Sequence, residues 1–135
     1  MKAEELMLGD WVKIQEPDKY AGAIGRVNSL TSLEGGYFAI NIQDPQFGYL
    51  VTEVFCDDIA PIPLAAGMLE KNGFVRFGTS YVLEGEHFGL ENPSSPDDYK
   101  DNYWLRIGGK GHNILYVHQL QNALRLAGVN KEITI

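Results

Sequence analysis

The stretch NILYVHQLQNALRLAG, Asn113 to Gly128, decides how the chain is read, because it carries both the period and the end signals of a long amphipathic helix. At about 100° per residue, Tyr116, Val117, Leu120, Ala123, Leu124 and Ala127 share roughly a third of the helix circumference. Such a stripe docks a helix on a core. Asn113 stands where its side-chain oxygen can cap the first turn, and Gly128 where the chain must turn left-handed to leave the helix. Val129 is then placed to fold back on Leu124, and the closing KEITI, with Ile133 and Ile135 alternating, reads as a short final strand.

The polar side of the same helix supplies the candidate binding residues. His118, Asn122 and Arg125 lie at i, i+4 and i+7 with Gln121 beside them, a stripe rich in amides and poor in the Lys and Glu that dress a helix facing only water. Three outcomes are open. The stripe meets a partner protein, or it meets its own copy across a two-fold axis as a homodimer, or it belongs to the chain's own surface, hydrogen-bonded to a neighbouring loop or simply solvated. The run YVHQLQN, Tyr116 to Asn122, with its leucine-rich continuation and glycine, resembles the C-terminus of a family of small uncharacterised Bacteroidetes proteins and their mobile elements. That resemblance implies the helix and carries no mechanism.

Working outward toward the N-terminus, Gly108-Gly109-Lys110-Gly111 invites a phosphate-loop reading, since free amides at a helix start attract anions. The spacing of that motif is absent and no Ser or Thr follows Lys110, so the four residues read as a flexible connector. Phe74 to Phe77, Tyr81 to Leu83, His87 to Leu90 and Tyr103 to Ile107 read as four short aromatic strands, the floor for the helix. Between them Glu91 to Asn102, ENPSSPDDYKDN, has little to bury and reads as a solvent loop. Ala65 to Asn72 is a short helix with Met68 and Leu69 on its apolar side and Gly73 as its stop. The prolines of Pro61-Ile62-Pro63-Leu64 set the boundary between a unit 1–63 and a unit 64–135.

In the first unit, Val12 and Ile14 form a strand, Glu16-Pro17-Asp18 a turn, and Ile24, Val27 and Leu30 a second strand. Gly9, Asp10, Val12 and Ile14, followed by Gly22, Gly25 and Val27, resemble the KOW motif. The resemblance implies an SH3-like antiparallel barrel and, in many members, RNA binding. Tyr37 to Ile42, Tyr49 to Phe55, a helical turn at Cys56 to Ile59 and a strand at Ala60 to Pro63 would complete it, with Val12, Ile14, Ile24, Val27, Ile40 and Ile42 inside. The position before the first of the second group of glycines, often a lysine in that family, is Ala21, and only Lys19 and Arg26 are cations nearby. The expected fold is therefore α+β: an SH3-like barrel followed by a small antiparallel sheet packed on one long C-terminal helix.

Charge and composition bound the chemistry. With 18 Asp and Glu against 11 Lys and Arg the formal net charge is -7, a field that repels phosphate backbones and anionic headgroups. Nucleic acid and membrane are disfavoured, and a protein partner is expected. A single cysteine, Cys56, makes no intramolecular disulfide, and with two acidic residues in MKAEELMLGDW where an export signal needs an apolar run, a cytoplasmic setting is expected. His87, His112 and His118 lack zinc-type spacing, and Asp97 to Asp101 lacks the glycine and distal glutamate of a calcium loop. Asp57 beside Cys56 opposes a thiolate nucleophile. No catalytic, cofactor or metal residues are assigned, and the expected role is a non-catalytic protein-binding or adaptor module, with an RNA- or DNA-binding KOW-like unit as the alternative.

Overall fold

In a computed structural model that describes residues 5–15, 22–32, 38–43, 50–92, 103–107 and 110–135, the chain divides into two units, Met1–Ile62 and Pro63–Ile135. Among the described residues each unit holds one five-stranded antiparallel sheet, and the helices lie in the second. The class is α+β.

In the first unit, β1 (Trp11–Ile14), β2 (Ile24–Ser32), β3 (Phe38–Gln43), β4 (Leu50–Phe55) and β5 (Ile59–Pro61) pair in the order β4-β3-β2-β1-β5. Alternation buries Val12, Ile14, Val27 and Ile42 on one face, where Leu6, Val54 and Ile59 join them. Ile24 does not join them and is 36% exposed. The register explains this: Gly25 stands opposite Val12 on the inner face, which leaves Ile24 opposite Lys13 on the outer one. The side chain of Ile40 lies outside the described residues. Register shifts between Val27 and Ser29 and between Ile40 and Ile42 bend the sheet.

Local chemistry accounts for the turns. The buried Asp10 carboxylate accepts the Met7 N–H at 2.8 Å, and the Asp10 N–H donates to the Met7 carbonyl at 3.1 Å, closing the turn that feeds β1. Gly22, at φ +87°, occupies a left-handed conformation that a side chain would strain, and its N–H donates to the Ile14 carbonyl. The 3-10 turn Cys56–Asp58 falls where a helical turn is expected. Asp58 Oδ2 accepts the Phe55 N–H at 3.2 Å, and the Asp58 carbonyl accepts the Gln15 N–H at 2.8 Å.

The expected closed barrel is not what forms. Among the described residues no ladder joins β4 to β5, the two ends of the sheet. The last strand has three residues and ends at Pro61, which has no N–H, so it adds to β1 and propagates no further.

The second unit runs α1 (Ala66–Lys71), β6 (Phe74–Phe77), β7 (Ser80–Leu83), β8 (Gly89–Glu91), β9 (Tyr103–Ile107), β10 (Lys110–Ile114) and α2 (Val117–Leu126), with its strands in the order β10-β9-β8-β7-β6. One sheet face is buried through Phe74, Tyr81, Leu83, Leu90, Tyr103, Leu105 and Ile114. Tyr81 and Tyr103 meet edge to face with centroids 5.7 Å apart, and Phe74 and Phe88 at 6.3 Å. Val117, Leu120 and Leu124 of α2 complete the interior.

Three expectations fail in this unit. The C-terminal helix is short, ten residues, because the chain before it is strand: Asn113 pairs with Trp104 in the β9–β10 hairpin and caps nothing. The helix starts at Tyr116, where Gln119 Oε1 accepts the N–H groups of Tyr116 (3.2 Å) and Leu115 (2.8 Å). Lys110 and Gly111 belong to β10 and not to a connector, and Gly108 and Gly109 lie outside the described residues. The tail 131–135 is not a strand. The helix stop does form as expected, with Gly128 at φ +74° and the Val129 N–H donating to the Leu124 carbonyl at 2.9 Å. Among the described residues no helix is long and apolar enough to cross a membrane.

Candidate functional site

The four polar residues singled out on the helix do not form one exposed stripe. His118 is 3% exposed, its ring stacked on Tyr116 with centroids 5.9 Å apart. Gln121 is 1% exposed and spends its amide on the chain's own tail: Nε2 donates to the Lys131 carbonyl at 2.9 Å, and Oε1 accepts the Ile133 N–H at 2.7 Å. Asn122 and Arg125 are half-buried, with Arg125 Nη1 donating to Asn122 Oδ1 at 3.2 Å and Nη2 lying 3.9 Å from Glu132. A primary amide offers one donor and one acceptor in the geometry of a peptide group, so Gln121 captures an extended segment as a strand would. For Gln121 the hydrogen bonding is within the same chain.

The remaining chemistry-bearing residues do not converge. His87 is exposed in the β7–β8 turn and His112 in the middle of β10, while His118 is buried. Among the described residues no three His, Cys, Asp or Glu gather as metal ligands. Asp57 is exposed, Asp58 holds the 3-10 turn, and Asp97, Asp98 and Asp101 lie outside the described residues, as does the loop from residue 93 to residue 102.

What the structure brings together instead is a surface on the outer face of the second sheet. In β6, Phe74 points inward, which puts Val75 and Phe77 on the outside, where they are 40% and 66% exposed. Val75 stands opposite Val82 in the ladder, so the three side chains share one face. They floor an open groove of about 470 Å³ whose wall is the β7–β8 turn with Glu84, Glu86 and His87. Among the described residues no Lys or Arg lines it. Arg76, between the two apolar residues, points to the other face, its guanidinium 5.9 Å over the Tyr81 ring and its Nε donating to the Gly78 carbonyl at 3.0 Å.

The sequence held a signal for this surface. The run Phe74-Val75-Arg76-Phe77 is apolar at three positions of four and so cannot satisfy both faces of a strand in a two-layer unit, where only one face is covered. Read only as a core strand, it hides the surplus. Elsewhere the exposed apolar residues of the two units are the adjacent Met7 and Leu8 and single positions such as Ile24, Phe55 and Leu126.

Set against known proteins, the chain matches no family model, no curated protein and no solved structure.

Proposed function

We propose that this chain is a non-catalytic protein-binding module and that its contact surface is the outer face of the second sheet around Val75, Phe77 and Val82. One observation carries the reading: a phenylalanine 66% exposed beside a second exposed apolar residue on the same strand, at the mouth of a groove. Burying such rings releases ordered water, about 25 cal/mol per Å² of apolar surface, and a partner's side chains can supply that burial. On this reading the N-terminal KOW-like sheet is scaffold, and a reducing, cytoplasmic setting agrees with the lone Cys56.

The nucleic-acid alternative is weaker on two counts. Trp11, on the outer face of the KOW-like sheet, is buried beneath Arg26, whose guanidinium lies 5.5 Å from the ring centroid, so this ring offers no platform for a base, and among the described residues of that sheet Phe55 is the aromatic left exposed. The net charge of -7 opposes phosphate contacts.

A photo-crosslinking residue placed at position 77, with the still more exposed position 126 as control, tests the proposal in the host cell. A discrete adduct at 77 that is missing at 126 supports it. Adducts equal at both positions, or none at 77, overturn it.

A further inference from the structure

We infer that the partner presents an extended segment laid antiparallel along β6 as an added strand, with aliphatic residues at two successive outward-facing positions and a lysine or arginine at the next. The inference rests on the protein-binding reading above and adds the partner's chemistry. It begins from the backbone. The Leu83 N–H donates to the Phe88 carbonyl at 3.0 Å, toward β8, so Phe74 and Leu83 form a pair without mutual hydrogen bonds, and alternation makes Arg76 and Tyr81 another. The main-chain N–H and C=O of Arg76 therefore point away from β7, to the outer edge of the sheet. Arg76 is exposed there, and among the described residues no strand pairs with that edge.

A residue laid opposite Arg76 exchanges two main-chain hydrogen bonds with it, and its neighbours on either side then project onto the outer face beside Val75 and Phe77. Aliphatic side chains at those two positions cover the exposed apolar floor. The next outward-facing position, two residues further toward the β7–β8 turn, comes within a long side chain's reach of Glu84 and Glu86. These carboxylates face no Lys or Arg in the groove, so a cation there is favoured and an anion opposed. The same charge argument disfavours a second copy of this chain as the occupant, because it would bring an identical acidic wall and a further -7.

A fluorescent peptide of sequence Lys-Thr-Val-Thr-Val-Thr-Lys, blocked at both ends and with its central threonine placed to lie opposite Arg76 in an antiparallel strand, is titrated by anisotropy against the full chain. Its counterpart with Glu at both ends is titrated alongside. The lysine peptide should bind about tenfold or more tightly than the glutamate one, and Glu84→Lys with Glu86→Lys should reverse the order. N-methylation of the central threonine, which removes the amide opposite Arg76, should weaken binding by a similar factor. Equal binding of the two peptides overturns the cationic partner, and indifference to N-methylation overturns strand addition. Absence of binding by either peptide, with the crosslink at position 77 still present, overturns this inference and leaves the protein-binding reading standing. Loss of the crosslink removes both. A dimer by sedimentation that Phe77→Ser dissolves assigns the edge to a second copy and also overturns the inference.

Discussion

Asn72 and Thr134 stand 62 residues apart in the chain and hold each other as two paired peptide groups would. Asn72 Nδ2 donates to the Thr134 carbonyl at 2.7 Å, and the Thr134 N–H donates to Asn72 Oδ1 at 2.7 Å. Asn72 is also the C-cap of α1 and donates to the Met68 carbonyl at 2.7 Å, so one buried side chain fixes a helix end and the C-terminal tail together.

Replacing Asn72 by Leu should cost about 1–3 kcal/mol, since it leaves the N–H and C=O of Thr134 without their partner in a part-buried site. Urea denaturation followed by far-UV circular dichroism measures it. A loss below about 0.5 kcal/mol would show that the tail contributes little to the second unit.

Gln121→Leu tests the second clamp by a different readout. The substitution keeps helix propensity and apolar burial but removes the acceptor of the Ile133 N–H and the donor to the Lys131 carbonyl. Amide exchange at Ile133 should quicken by about tenfold or more while Leu120 and Leu124 amides keep their protection. Unchanged exchange at Ile133 would contradict the clamp.

Leu120, 1% exposed, is expected to tolerate shortening but not charge. Leu120→Ala should cost about 2–5 kcal/mol by cavity formation, and Leu120→Asp should unfold the second unit, because an unpaired buried carboxylate costs several kcal/mol. A Leu120→Asp variant with the parent's melting temperature would remove α2 from the core.

Gly111 lies under an indole. A Cβ at this position would stand 3.2 Å from Cε3 of Trp104, so the ring must shift to admit one. Gly111→Val should move the tryptophan emission of the native protein, with Trp104→Phe abolishing the difference. Identical spectra for Gly111→Val and parent would refute the contact.

In the first unit, Ile14 and Ile24 separate the two faces of the sheet. Ile14→Ala should cost about 2–5 kcal/mol, whereas Ile24→Thr should stay within about 0.5 kcal/mol. Comparable losses at both would mean that the β1–β2 register is wrong.

What the sequence by itself determined were the features whose causes lie within a few residues. Trp11 to Ile14, the 3-10 turn at Cys56, the short helix after the prolines and the stop at Gly128 are written in alternation, turn chemistry and a left-handed glycine. The apolar stripe of α2 is equally local, which is why Val117, Leu120 and Leu124 are buried as expected. Tertiary structure alone decided the rest. Lys110 to Ile114 lacks the aromatic and β-branched residues of a strand and forms one because β9 supplies a ladder, although the Gly108-Gly109 pair between two segments was a hairpin signal. Ile24 faces outward because of the residue across from it. Of the candidate surface, only the surplus of apolar residues in Phe74 to Phe77 was legible; that Val75 and Phe77 lack a covering layer follows from the sheet having helices on one side. Gln121 sits on the polar side of a helical wheel, yet it is buried because the tail at Lys131 to Ile133 returns beside it. A wheel records which residues share a face of one helix and contains nothing about what distant chain will lie against that face. The desolvation of the Gln121 amide is offset by hydrogen bonds to residues 131 and 133, partners that only the folded chain brings within 3 Å.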